Sequence, residues 1–144
     1  MAAVARAVRT RTVLVVEDDP DVRAIAVAAL EDSGYAVLQA ATGDQALVTF
    51  SGHPEIDLVF TDIVMPGIDG FKVADCVKQL RPAVHVVYTT AFTDAAAAYL
   101  GVVHGSILHK PYRSAQLLAT VAEALDRDDR RAAGAAWRDH RHAR

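Results

Sequence analysis

The sequence has almost no cysteine and no long apolar run. Its one cysteine, Cys76, excludes an internal disulfide, which favours a reducing cytoplasmic compartment. Cys76 falls in a predicted helix, where we interpret it as a packing or surface residue rather than a nucleophile. No apolar stretch approaches the roughly 18 residues of a membrane span, and Val13–Val16 is too short for the core of a signal peptide. We therefore expect a cytoplasmic protein that has no membrane partner.

Positive charge is scarce in the middle of the chain. The net charge of −3 divides into +3 for residues 1–11, −9 for residues 12–126 and +3 for residues 127–144. An acidic domain argues against nucleic acid as a partner, because such binding depends on neutralising phosphates, and it favours cations and basic protein surfaces. The 144 residues fit one domain. We expect this domain at 12–126, between an N-terminal basic extension (1–11) and a charged C-terminal tail (127–144) too short for an output domain.

Five short apolar runs alternate with stretches of helical periodicity. Each run is rich in Val, Ile or Leu and bounded by turn or helix-start signals, which is typical of a buried strand. The alternation predicts (βα)5, an α/β fold with a doubly wound parallel sheet. The predicted strands are Thr12–Val16, Ala36–Ala40, Asp57–Thr61, Val84–Thr89 and Ser106–His109.

Capping residues and apolar stripes mark the helices. Asp19-Pro20 begins the first helix and Ser33-Gly34 ends it. The fourth predicted helix is alanine-rich and runs from Asp94 to about Val102, and Ser114 is expected to cap the fifth. The apolar stripe expected to face the core in the first helix consists of Val22, Ile25, Ala26, Ala29 and Leu30.

Three carboxylates follow or end two of the predicted strands. Glu17 and Asp18 come after the first strand, and Asp62 comes after the third. Parallel strands end at one edge of the sheet, where ligands bind in open α/β folds, so the three groups should meet there. They would repel one another unless a hard cation such as Mg²⁺ neutralised them. The alternative is that Glu17, Asp18 and Asp19 only cap the helix dipole, a role that we assign to Asp19.

A hydroxyl and an ammonium group arrive at the same edge. Thr90 follows the fourth strand, and Lys110, followed by Pro111, follows the fifth. In an acidic crevice, a lysine is a partner for phosphate or carboxylate by its charge, although an ordinary exposed lysine is the simpler reading of Lys110 taken alone. Thr90 alone would be unremarkable, because threonine is common in strands.

Together these residues resemble the receiver domain of two-component response regulators, of the single-domain chemotaxis-regulator type. The resemblance covers residues 12 to about 126 and implies a flavodoxin-like five-stranded sheet of order 2-1-3-4-5. Each matching motif is weak by itself, but the combination is specific. The matching segments are Val13–Pro20, Asp57–Gly70, Thr90-Ala91 and His109–Tyr112.

The resemblance assigns a role to each residue of the crevice. Asp62 would be the phospho-acceptor, and Thr90 and Lys110 would contact the phosphoryl group. The implied ligands of Mg²⁺ are Asp18 and Asp62 directly, Glu17 through water, and the backbone carbonyl of Val64.

The sequence departs from the family pattern at two places. The family usually has an aromatic switch residue three positions before the lysine, and Ile107 stands there. The interval from Thr90 to Lys110 is also about two residues short, so we expect a short or irregular fourth helix. Val64 and Phe92, each two residues beyond a site residue, are apolar, and we expect them to restrict water at the acyl phosphate.

The resulting hypothesis is a stand-alone receiver, not an enzyme, that takes a phosphoryl group from a sensor histidine kinase or a histidine phosphotransfer protein. It would act through an unknown downstream protein at the face of helix four, strand five and helix five, or serve as a phosphorelay intermediate or phosphate sink. A dehalogenase-like phosphohydrolase needs a second Asp where Val64 stands. A nucleotide-binding module lacks Gly-x-Gly-x-x-Gly. A scaffold that never takes phosphate conflicts with the intact crevice residues.

Overall fold

The computed structural model describes residues 9–91 and 104–127. Helix α1 is Pro20–Asp32, α2 is Gly43–Gly52 and α3 is Gly70–Leu80. A further helix covers 114–127 and is called the C-terminal helix below. Phe92 and the fourth predicted helix lie outside the described residues. The strands are β1 Thr12–Val16, β2 Ala36–Ala40, β3 Ile56–Asp62, β4 His85–Thr90 and β5 Ser106–His109.

The five strands form one parallel sheet in the order β2-β1-β3-β4-β5. The predicted doubly wound, flavodoxin-like fold is therefore confirmed. Successive residues of each central strand face opposite sides, so Leu58 and Phe60 pack towards α1 and the C-terminal helix, whereas Val59 packs towards α2 and α3. Burial on both sides explains why β3 has no polar alternation. Among the described residues, no helix is long and apolar enough to cross a membrane.

Local capping explains where α1 begins and ends. A side-chain oxygen of Asp19 accepts hydrogen bonds from the backbone N–H of Asp21 and Val22, and Pro20 is the first helical residue, as predicted. At the other end Gly34 has φ of +95° and donates to the carbonyl of Glu31. Glycine adopts this left-handed conformation without the steric cost of a Cβ, so the helix stops as the sequence indicates.

Two details of the predicted helices are wrong. Ile25 is 63% exposed while Val27 is buried, because the buried stripe of α1 is rotated by about one position. The C-terminal helix is capped by Arg113, not Ser114, since the carbonyl of Arg113 accepts the first helical hydrogen bonds. The side chain of Gln116 accepts from the Arg113 N–H at 2.7 Å and satisfies that donor.

Two strands differ slightly from their predicted bounds. Strand β3 continues to Asp62, which pairs with Thr89 of β4. Strand β4 begins at His85, because the N–H of Val84 is used in a turn with the carbonyl of Arg81. Asp62 and Thr90 are therefore the last residues of their strands and share the rigidity of the sheet.

Candidate functional site

The carboxyl edge of the sheet brings together the polar residues expected there. Glu17 directly follows β1, Asp62 ends β3, Thr90 ends β4 and Lys110 directly follows β5. The N–H of Lys110 donates to the carbonyl of Thr90 at 2.8 Å, which extends the pairing of β4 and β5 into the crevice. The predicted convergence of these four residues is thus present in the structure.

Lys110 joins two of the carboxylates. Its Nζ lies 2.8 Å from Oε1 of Glu17 and 3.0 Å from Oδ2 of Asp62. The two acidic side chains are only 6% and 9% exposed, and the lysine side chain is 25% exposed. A buried carboxylate needs a paired charge or several hydrogen bonds, and the single Lys110 ammonium forms an ion pair with both acids. The simpler reading of Lys110 as an ordinary surface lysine does not fit these contacts.

The surroundings of Glu17 and Lys110 raise the pKa of both groups. Burial raises the pKa of Glu17, against the opposing effects of hydrogen bonds from Lys110 and from the N–H of Asp19. Burial lowers the pKa of Lys110, but its hydrogen bonds to Glu17 and Asp62 outweigh this effect, so the pKa of Lys110 is raised. The lysine therefore remains a cation at neutral pH.

Asp18 completes a group of three acids that fits a divalent cation. Unlike Glu17 and Asp62, it is exposed, and one carboxylate oxygen from each of the three lies within 4.8 Å of the others. Mg²⁺ prefers hard oxygen ligands, commonly one or two carboxylates with water molecules. Two buried acids beside an open, exposed one suit that preference. Across residues 9–91 and 104–127 this is the one such group of acidic, His or Cys side chains.

The backbone around Asp62 is closely packed. The Thr61 hydroxyl donates to the Asp62 carbonyl at 2.9 Å, and the Val64 N–H approaches Oδ1 of Asp62 at 3.4 Å. The N–H of Gly70 donates to Ile63 at 2.8 Å, and a Cβ on Gly70 would overlap the Asp62 carbonyl oxygen. The sequence analysis did not identify this contact of Gly70.

An aromatic residue lies on β4 beside the position where the resembled family carries one on β5. Ile107 pairs with Tyr88 and is partly buried in the same core cluster. Tyr88 is fully buried, and its ring centroid lies 5.3 Å from that of Phe71. Its hydroxyl accepts from the N–H of His104 at 3.0 Å. Sequence reasoning took Tyr88 only as a strand residue.

A third residue that the sequence analysis did not identify is Arg23 of α1. Its Nη1 donates to the backbone carbonyl of Glu17 at 2.8 Å, and its Nε donates to the Gln39 side chain at 3.3 Å. The only sequence signal was an arginine one turn into the helix that follows the acid pair.

The fold agrees with comparisons to known proteins. Residues 13–122 match the family model described as the response regulator receiver domain. The chain is 36% identical over 121 residues to sensor kinase CckA of Brucella abortus, a match covering 82% of this chain and 13% of CckA. It is 35% identical over 86 residues to the response regulator receiver protein CpdR of the same species, covering 60% of this chain and 71% of CpdR.

A solved structure shows the same architecture. The response regulator receiver protein from Sinorhizobium medicae superposes with a TM-score of 0.77 at 29% identity, over 83% of this chain and 98% of that one. By contrast, this chain corresponds to a small part of CckA, so the activity and partners of that whole protein do not transfer with the match.

Proposed function

The chain belongs to the response regulator receiver family of two-component signalling, and on this premise we propose that it accepts a phosphoryl group on Asp62 in a Mg²⁺-dependent reaction. The donor would be a sensor histidine kinase or a histidine phosphotransfer protein. The observation that carries the proposal is the Lys110 ammonium held between Glu17 and Asp62. It places a cation beside the carboxylate that would attack phosphorus.

The chemistry needs few groups. An Asp62 carboxylate oxygen attacks the phosphorus of a phosphohistidine, an O–P bond forms, the P–N bond breaks, and its electron pair leaves on the imidazole nitrogen. Lys110 exchanges its contact with Asp62 for a phosphoryl oxygen. A metal ion held by Asp18, Asp62, the Val64 carbonyl and, through water, Glu17 would supply further charge neutralisation.

The edge around Asp62 offers an apolar approach for a histidine-bearing partner. Ile25 is 63% exposed and Val64 is 51% exposed. A hollow next to Ile25 is lined by Val22, Ile25, Ala91, Lys110, Pro111 and Tyr112. Exposed apolar side chains beside a reactive carboxylate support docking by a protein rather than transfer from small donors alone.

Output is proposed to begin at Thr90. A phosphoryl group on Asp62 offers new acceptor oxygens to the buried Thr90 hydroxyl at the end of β4. Movement of Thr90 would bias a two-state equilibrium on the β4–β5 side of the sheet. A downstream protein would bind at the face of the predicted helix four, β5 and the C-terminal helix. We further propose a domain at 12–126 that acts as a stand-alone receiver, relay or phosphate sink in the cytoplasm, without turning over a separate substrate. The match to the response regulator receiver protein CpdR, which covers 71% of that protein, supports the stand-alone reading, whereas the match to CckA covers 13% of a longer protein.

Transfer from a phosphorylated histidine domain tests the proposal. The chain, Mg²⁺ and a purified kinase histidine domain carrying labelled phosphate are mixed, and label is followed on both proteins. We expect label to leave the histidine and appear on this chain as an acid-stable, base-labile group, but not on Asp62→Asn. Asp57→Asn is the control, because Asp57 faces Arg9 and the Thr12 N–H at the start of β1. Lack of transfer from every kinase of the host would contradict the proposal.

A further inference from the structure

Arg23 connects three segments at the edge of the candidate site. Its guanidinium donates to the Glu17 carbonyl at 2.8 Å and to the Gln39 side chain on β2 at 3.3 Å. The N–H of Glu17 donates to the Ala40 carbonyl at 3.1 Å. The backbone of Glu17 is therefore held on one side by β2 and on the other by α1.

The hydrogen bond from Arg23 to the Glu17 carbonyl also affects the backbone of Asp18. The Glu17 carbonyl and the Asp18 N–H belong to one planar peptide group, so a hydrogen bond to the carbonyl also fixes the orientation of the Asp18 backbone. The Asp18 side chain makes no hydrogen bond or ion pair within the described part of the chain. Glu17, in contrast, has its carboxylate held by Lys110 and by the Asp19 N–H. The orientation of the Asp18 carboxylate therefore depends on the conformation of the Asp18 backbone.

We propose that Arg23 is a positioning residue that orients Asp18 for Mg²⁺ through the Glu17 carbonyl. This inference rests on the proposed function, since it concerns the metal site of the same reaction. A charged donor on a carbonyl forms a stronger hydrogen bond than a neutral donor. The planar guanidinium also spans Glu17 and Gln39 together, which a lysine ammonium cannot do with the same geometry.

Loss of the positioning contact and loss of the Arg23 charge would change the affinity for Mg²⁺ in opposite directions. Arg23 is a cation close to a cation site, so its charge alone weakens Mg²⁺ binding. Removing the charge would then tighten binding, whereas losing the orientation of Asp18 would weaken it. The direction of the change in Mg²⁺ affinity thus separates the two effects.

Calorimetric Mg²⁺ titration of Arg23→Met and Arg23→Lys tests the proposal. Methionine retains an apolar stem without the donors, and lysine keeps the charge. We expect the Kd for Mg²⁺ to rise about tenfold in Arg23→Met, the lower end of the effect of losing an outer partner of a metal ligand. A smaller rise is expected in Arg23→Lys. Both changes should persist at high salt, which screens a purely electrostatic effect.

Arg81→Met is the matched control. The Arg81 guanidinium also donates to a backbone carbonyl, that of Pro54 at 2.8 Å, but it lies at the opposite edge of the sheet. This variant should lose stability without changing the Kd for Mg²⁺. If Arg23→Met fails to fold, Arg23→Lys decides, because electrostatics alone predicts no change in its Kd.

An unchanged or lower Kd in the folded Arg23 variants would overturn the positioning role. If wild-type protein itself neither binds Mg²⁺ nor is phosphorylated, the proposed function fails instead. Wild-type binding with unchanged Arg23 variants refutes only this inference.

Discussion

Nζ of Lys110 lies 3.0 Å from Oδ2 of Asp62, so an ion pair joins the carboxyl ends of β5 and β3 across the intervening strand β4. The same ammonium reaches Glu17 beyond β1 at 2.8 Å. One ammonium group thus pairs with both buried carboxylates, and it would supply the positive charge that the proposed phosphoryl transfer to Asp62 requires.

Removing the Lys110 ammonium should affect both stability and chemistry. Lys110→Met leaves two buried carboxylates unpaired, and we expect it to lower the free energy of unfolding by about 1–3 kcal/mol. Urea denaturation measures this loss, and saturating Mg²⁺ should recover part of it. Lys72→Met, at an exposed position of α3, should change stability by less than about 0.5 kcal/mol. Equal stability of the two variants would contradict the role given to Lys110.

Mg²⁺ should raise the melting temperature through Asp18. An ion that binds only the folded state stabilises it by mass action, and Asp18 is the exposed member of the three acids. We expect Asp18→Ala to abolish most of the Mg²⁺-dependent rise in Tm. Asp21→Ala removes an exposed acid from the first turn of α1 and should retain the rise. Thermal scans across a Mg²⁺ series compare the variants, and the same rise in both would exclude Asp18 as a ligand.

Gly70 should be intolerant of a side chain. Gly70→Ala places a methyl group against the Asp62 carbonyl, and relieving that overlap must shift the end of β3. We expect a loss of about 1–3 kcal/mol in the free energy of unfolding, together with slower phosphorylation. Gly52→Ala, where a Cβ meets no atom within 4 Å, should be neutral or stabilise by up to about 1 kcal/mol. Denaturation curves for both variants measure this difference, and an equal free energy of unfolding in the two variants would refute the close contact.

The Tyr88 hydroxyl should protect the His104 amide. Tyr88→Phe removes the acceptor of the His104 N–H while keeping the buried ring against Phe71. Hydrogen exchange at residue 104 should become faster. Tyr112→Phe, which retains the edge-on contact with Phe60, is the control and should leave that amide unchanged. An unchanged exchange rate at residue 104 in Tyr88→Phe would show that the Tyr88 hydroxyl does not protect the His104 amide.

The sequence was most informative where a residue's location in the fold follows from its place along a strand. Asp62, Thr90 and Lys110 converge because parallel strands end at one edge, and that argument needs only the strand bounds. The rotation of α1 was harder to predict. Alanines flank its apolar stripe, so the pattern fixed the buried face only to within one position, and Ile25 was assigned to the wrong side.

The contacts of Arg23, Gly70 and Tyr88 were not predicted for a different reason. Arg23 contacts a backbone carbonyl, which no residue type in the sequence identifies. Gly70 is required by the approach of two chain segments, and the hydrogen bond that the Tyr88 hydroxyl accepts from the His104 N–H joins residues 16 positions apart. Each of these contacts is set by tertiary packing, whereas the capping of α1 by Asp19 depends on its immediate neighbours and was predicted.

Direct mapping of the phosphorylated residue tests the central claim. The chain is incubated with Mg²⁺ and acetyl phosphate. Its acyl phosphate is then reduced with borohydride, and the reduced residue is located by mass spectrometry. The account predicts one modified residue, Asp62, with no modification in Asp62→Asn and full modification in Asp57→Asn. Modification at another carboxylate, or its persistence in Asp62→Asn, would contradict the assignment of Asp62 as the acceptor.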